Sequence, residues 1–291
     1  MTDPVVPAVP FGQRLEDAMA RFGPLCVGID PHPELLTQWG LSVDRAGLID
    51  FGRRTVDAAA GRAAAVKPQV AFFEQHGPPG MEALAEVHRL AREAGLLVIA
   101  DAKRGDIGST MEGYAQAWLH PDSDWAADAL TVNPYLGFGA LAPAVEAAHT
   151  YGAGLFVLAL TSNPEGREVQ LARTASPAEG PDTVAASVVR AASAALPSPE
   201  GHLGSVGLVI GATTASEASA HGIDLTVGRP PVLAPGYGAQ GAGVRQLADG
   251  FGDAVDQVLV NSSRAILRAG PSTAALTAAV GRTRRDLDLL S

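Results

Sequence analysis

The chain has 291 residues, 47% of them hydrophobic but only 5% aromatic, so a large core is available and must be built from Ala, Val, Leu and Ile. A formal net charge of −10 argues against binding to nucleic-acid backbones, and 18% charged residues argue against a disordered chain. The single cysteine, Cys26, lies in an apolar run and reads as a buried thiol, which leaves no disulfide framework and no cysteine-rich zinc site. With no basic-then-apolar leader and no apolar run of membrane-spanning length, the cytoplasm is the expected location and no membrane contact is expected.

In chain order, a helix is expected at Gln13–Phe22 (about 12–22), ahead of the first strand. Strands are expected at Leu25–Ile29, Ala64–Lys67, Leu97–Asp101, Ala129–Val132, Leu155–Leu160, Val206–Ile210, Val232–Ala234 and Gln257–Val260. Helical segments fall between them, among them Leu48–Ala60, Gly80–Ala94, Leu141–His149, Thr183–Ala195, Thr214–His221 and Val244–Phe251. Gly281–Leu290 reads as a terminal helix or tail. Short, continuous apolar strands alternating with helices predict a parallel sheet covered by helices. Eight such units predict an α/β fold, one (β/α)8 barrel of the TIM class over 1–291, with no linker dividing it. Residues 163–183 are the most irregular stretch. Because they follow the fifth strand, they belong over the C-terminal rim, either as a lid or as a tolerated surface insertion.

Of the 21 basic residues only two are lysine, Lys67 and Lys103. Arginine hardly gives up its proton, whereas lysine can be tuned to do so, so two lysines in an arginine-rich chain mark positions where arginine would fail. Both stand at strand ends. Lys67 closes the second strand and Lys103 follows the third, two residues after Asp101 and three before Asp106. Residues i and i+2 of an extended chain face the same side, so Asp101 and Lys103 are expected to face the barrel mouth together, with Lys67 on the neighbouring strand. Such an alternation of charges fits a salt-bridge network closing the barrel. It equally fits a preorganised site for making and protonating a carbanion. Spacing alone leaves both open. Among other conspicuous residues, His32 reads as a helix start, Trp118 and Trp125 as packing residues, and His76, His88, His149 and His221 show no metal-ligand spacing.

The segment DAKRGDIGST, Asp101 to Thr110, resembles the D-x-K-x-x-D-I-x-x-T signature of the orotidine 5'-phosphate decarboxylase family. CVGIDPHPE, KPQVAFFE, TSNPEG and APGYGAQGA also resemble that family, in particular its actinobacterial-type "type 2" branch with a long insert, and they come in order at successive strand ends. The resemblance implies decarboxylation of orotidine 5'-monophosphate to UMP, the last step of de novo UMP synthesis, with no cofactor and no metal. It implies that Lys103 protonates C6 of the pyrimidine, that Asp101 lies against the substrate carboxylate, and that Lys67 orders the charges and contacts the ribose. By the same resemblance Asp30 would bind the ribose hydroxyls, and Ser162 and Asn163 the pyrimidine edge. Gln240 and Arg264 would grip the phosphate, with Pro235 and Gly236 in the same binding set and the amides of a loop bearing Gly236, Gly238 and Gly241 free to approach it. Asp106, Ile107 and Thr110 would reach across a homodimer interface into the partner's site. Three rivals stand beside this. The first is a metal-dependent sugar-phosphate lyase or synthase, the second a Schiff-base aldolase, and the third a non-catalytic barrel that senses UMP.

Overall fold

The computed structural model describes residues 9–175, 182–196, 201–238 and 241–290. Eight parallel strands close on one another in sequence order: β1 Leu25–Ile29, β2 Ala65–Pro68, β3 Leu97–Arg104, β4 Ala129–Val132, β5 Gly154–Leu160, β6 Val206–Ile210, β7 Val232–Pro235 and β8 Val258–Ser262. Closure is completed by β1 pairing with β8, Leu25 opposite Val260. Ahead of the barrel lies α1, Phe11–Phe22, and outside it run α2 Pro33–Gln38, α3 Arg45–Ala59, α4 Ala71–Glu74, α5 Gly77–Glu93, α6 Gly108–Leu119 and α7 Ala142–Tyr151. These are followed by α8 Gly166–Gln170, α9 Val184–Ala195, α10 Val244–Phe251, α11 Arg264–Leu267 and α12 Thr273–Leu287.

Away from their C-terminal ends, where polar and charged side chains enter, the strands are apolar because both of their faces are buried. In β1 all five residues are buried: Leu25, Val27 and Ile29 join the layer between sheet and helices, and Cys26 joins the barrel interior. Burial pushes the Cys26 thiol up to about 12, as expected of an inert core cysteine. The interior also takes in Phe11 and Leu15 of α1, which therefore closes the N-terminal end of the barrel. The Phe11 ring meets Phe156 of β5 edge-on, with centroids 5.9 Å apart. The first residue of β5 has to be glycine for this contact: a Cβ on Gly154 would lie 2.1 Å from the Phe11 ring. Arg14 fixes the plug by pairing with Asp128 and donating to the Gly152 carbonyl at 3.0 Å. With that end sealed, the strand ends of the other rim carry the cavity.

Two segments depart from the sequence-based expectation. Thr214–His221 is not one α-helix but two 3-10 turns, Ala215–Glu217 and Ser219–His221. Its Ser- and Thr-rich sequence is a weak helix former, and the Thr214 hydroxyl is bonded to the Gly211 and Leu160 carbonyls. At the C-terminus, α12 begins well before Gly281, at Thr273, where the Ser272 side chain accepts from the Ala275 amide at 3.2 Å and caps the helix. No helix of the described residues is long and apolar enough to cross a membrane.

Candidate active site

Strands β2 to β8, with Asp30 just past the end of β1, line one cavity of about 320 Å³ at the C-terminal rim. At its base Asp101 is buried and accepts four hydrogen bonds. Lys67 Nζ donates to Oδ2 at 2.5 Å and Gln69 Nε2 to the same oxygen at 3.1 Å. Lys103 Nζ donates to Oδ1, and the Thr131 hydroxyl to the same oxygen at 3.0 Å. Burial is the largest influence on Asp101 and opposes its ionisation, but Lys67 and Lys103 outweigh it and hold the carboxyl well below the usual range. For Lys67 burial favours the neutral amine, yet Asp101 and then Asp30 overcome it and keep the ammonium protonated far into base. The two lysines differ in access. The Lys67 side chain is 5% exposed and that of Lys103 is 45% exposed, so of the two it is Lys103 that is open to the cavity.

The backbone that aims Lys103 is irregular. Between β3 and β4 the pairing passes from Ala100–Leu130 to Arg104–Val132, so four steps along β3 match two along β4. Lys103 takes up the excess with φ +49°, one of only two non-glycine residues with positive φ among those described. The expected simple i, i+2 alternation is thus replaced by a bulge, and Asp101 and Lys103 face the same cavity through it.

The other anticipated residues separate into three groups. Asp30, Ser162, Asn163, Pro235, Gly236 and Arg264 line the cavity. Asp30 Oδ1 is buried with no hydrogen-bond partner among the described residues, an acceptor that the surrounding fold leaves unused. The Arg264 guanidinium is exposed at the start of α11 and has no ion-pair partner among the described residues, while Ser263 makes no side-chain cap to the amides of that helix's first turn. Asp106, Ile107 and Thr110 lie outside the cavity, so three of the four anticipated charges converge and the fourth does not. Asp106 Oδ1 accepts from the Ile107 amide at 2.8 Å, Ile107 is 62% exposed, and Thr110 is exposed on the first turn of α6. Gln240 lies outside the described residues. In its loop Gly236, Gly238 and Gly241 all have positive φ, as the close-approach expectation requires. Two of the three amides are nonetheless taken up within the loop itself: Gly238 donates to the Ala242 carbonyl at 2.9 Å and Gly241 to the Gly238 carbonyl at 3.3 Å.

The 163–183 insertion contains α8 and a bridge between Arg173 and Thr183, and residues 176–181 lie outside the described set. The Gln170 side chain folds back onto the end of β5, accepting from the Thr161 amide at 2.9 Å and donating to its hydroxyl at 2.8 Å. Arg167 pairs with Glu217 at 2.6 Å, and Glu165 accepts from Asn163 Nδ2 at 3.1 Å. Residue-by-residue reading missed Gln69, Thr131, Tyr237, Asn261 and Ser263, all on the cavity wall. Gln69 had a signal, two residues beyond Lys67 at the same strand end, and so did Thr131, the one polar side chain in the apolar β4. His32 stacks on Phe72 with centroids 4.0 Å apart, and Trp118 packs on Trp125 at 5.9 Å, in keeping with structural roles. Among the described residues no group of three or more His, Cys, Asp or Glu side chains is placed to hold a metal ion.

Fold and site together define a (β/α)8 barrel with a lysine-rich rim pocket suited to a small anionic ligand. The model of the orotidine 5'-phosphate decarboxylase / HUMPS family matches residues 23–279, and the chain belongs to that family. It is 52% identical over 273 residues to the orotidine 5'-phosphate decarboxylase of Streptomyces coelicolor, covering 94% of this chain and 95% of that one. It is also 52% identical to the enzyme of that name from Salinispora arenicola over 276 residues, covering 95% and 96%. The solved structure of a Streptomyces avermitilis chain, 49% identical, matches with a TM-score of 0.91 over 100% of this chain and 99% of that one. The structure of Leishmania donovani OMP decarboxylase, 29% identical, matches with a TM-score of 0.74 over 97% and 99%.

Proposed function

We propose that this chain decarboxylates orotidine 5'-monophosphate to UMP and CO2, and that Lys103 supplies the proton. The observation that carries this is a buried carboxylate, Asp101, clamped between Lys67 and an exposed Lys103 at the floor of a rim cavity whose wall includes Arg264. Breaking the bond from C6 to the carboxylate releases CO2 and leaves the electron pair on C6, an anion with little resonance help. A fixed ammonium facing C6 stabilises that charge as it develops, at no reorganisation cost during the reaction. One Nζ proton then moves to C6 to give UMP, and the resulting amine is reprotonated from solvent. Asp101 faces the substrate carboxylate. Because four donors fix its two oxygens, it cannot turn away, and the like-charge contact is relieved as CO2 departs. Of the two effects the ammonium is the greater, since it acts on charge that appears only in the transition state.

Remote groups supply binding energy. Arg264 takes the phosphate, Asp30 the ribose hydroxyls, and Ser162 with Asn163 the pyrimidine edge, so that ring, ribose and phosphate are held while chemistry proceeds at C6. Asp106, Ile107 and Thr110, outside their own cavity, complete the site of a second copy. Support for that comes from the exposure of Ile107 itself, at 62%, and of two further apolar side chains on the β4 loop, Tyr135 at 75% and Leu136 at 56%. No metal is invoked. Incubation of the protein with substrate in D2O tests the chemistry: UMP bearing deuterium at C6 is expected. Bound but unchanged substrate would favour a UMP-sensing barrel, and turnover of sugar phosphates only with Mg²⁺ would favour a lyase relative.

A further inference from the structure

We infer that Thr131 is the positioning residue of this site: its hydroxyl holds Lys103 in the left-handed bulge and ties that backbone to the Asp101 carboxylate. The inference rests on the decarboxylase reading only for its kinetic consequence, since the geometry stands without it. Thr131 is buried at 1% exposure in β4, directly beside the irregular part of β3. Its Oγ accepts from the Lys103 amide at 2.9 Å and donates to Asp101 Oδ1 at 3.0 Å. The hydroxyl has one proton, and the Ala100 carbonyl at 3.5 Å competes for it. The carboxylate is nearer and charged, so it wins, which leaves a lone pair aimed at the Lys103 amide.

Where the bulge lifts β3 away from β4, the Lys103 amide has no β4 carbonyl, because the regular ladder stops at Ala100–Leu130 and resumes at Arg104–Val132. A part-buried amide left without a partner would carry a cost, and φ +49° at a lysine is a conformation that neighbouring structure has to impose. The Thr131 hydroxyl meets both needs at once. It also couples them, because the group that holds the Lys103 backbone is bonded to the same Asp101 oxygen that accepts from Lys103 Nζ. Loss of this hydroxyl frees the bulge to relax and moves the ammonium from its place over the cavity floor. The remote groups that bind ribose and phosphate do not touch Thr131.

The variants Thr131→Val and Thr131→Ser test this. Valine keeps the shape and removes the hydroxyl, while serine keeps the hydroxyl and loses a methyl group. In wild type the assay must show turnover of orotidine 5'-monophosphate; failure there would overturn the decarboxylase reading and leave the positioning inference to the amide measurement below. Given turnover, Thr131→Val is expected to lower kcat by roughly 10- to 100-fold with UMP affinity within about threefold, and Thr131→Ser to restore kcat to within about threefold of wild type. Because the chain has only Lys67 and Lys103 as lysines, protein labelled with ¹⁵N-lysine shows two backbone lysine amides. The Lys103 amide is expected to be protected from exchange in wild type and Thr131→Ser and to lose protection in Thr131→Val, with the Lys67 amide of the paired β1–β2 ladder as internal control. Equal protection of Lys103 in all three proteins, or Thr131→Ser impaired as deeply as Thr131→Val, would overturn the inference. Loss of protection at both lysines in Thr131→Val would mark a general folding defect and would likewise count against it.

Discussion

Arginine at position 103 would keep the charge of this site and lose its chemistry. Its guanidinium does not release a proton at working pH, and its fork is too large for a cavity floor already filled by Lys67, Gln69 and Thr131 around Asp101. Lys103→Ala is therefore expected to lower turnover by about 10³-fold or more while UMP affinity, measured by equilibrium titration, stays within roughly fivefold. Lys103→Arg should fail nearly as badly, and near-normal turnover in either variant would show that the proton comes from elsewhere. At this scale the sequence was informative, because a chain that otherwise uses arginine spends its two lysines on one carboxylate. Two things could not be read from it. The left-handed backbone of Lys103 depends on how β3 and β4 part company, and the two bonds of Thr131 depend on that bulge, so neither has a local sequence signal.

Elements whose identity is decided by burial were legible, and those decided by competition between local hydrogen bonds were not. Strands β1 and β6 fall on their expected residues because a strand buried on both faces is apolar throughout, and β4 does so although Thr131 interrupts its apolar run. The segment Thr214–His221 lies where a helix was expected but breaks into 3-10 turns, its Thr214 hydroxyl bonded to the Gly211 and Leu160 carbonyls. Helix α5 carries a testable consequence of its packing. His88 is buried on it, with Nδ1 against the Trp125 carbonyl at 3.2 Å and Nε2 without a partner among the described residues. Burial, helped by Arg92, pushes its pKa from 6.5 down to about 4. The unfolded chain then binds a proton that the folded one refuses, so the stability contributed by neutral His88 is complete above pH 6.5 and is lost progressively as pH falls from 6.5 towards 4. His88→Gln is expected to flatten the dependence of Tm on pH within that window, and an unchanged slope would show that other groups carry the acid sensitivity.

At the scale of the whole molecule, α1 seals one end of the barrel and the other end opens on a cavity bordered by exposed apolar loops. A pocket whose anticipated fourth charge, Asp106, stands outside its own cavity is expected to be complete only when two copies meet. Sedimentation at assay concentration should show a dimer, and specific activity should fall on dilution below its dissociation constant; a fully active monomer would contradict the shared site. The most direct test of the central claim is the ultraviolet absorbance of orotidine 5'-monophosphate after addition of the purified protein in excess EDTA. Rapid loss of that absorbance with UMP as product is the predicted result. Unchanged absorbance, with UMP nonetheless bound, would contradict decarboxylation by this lysine–aspartate site.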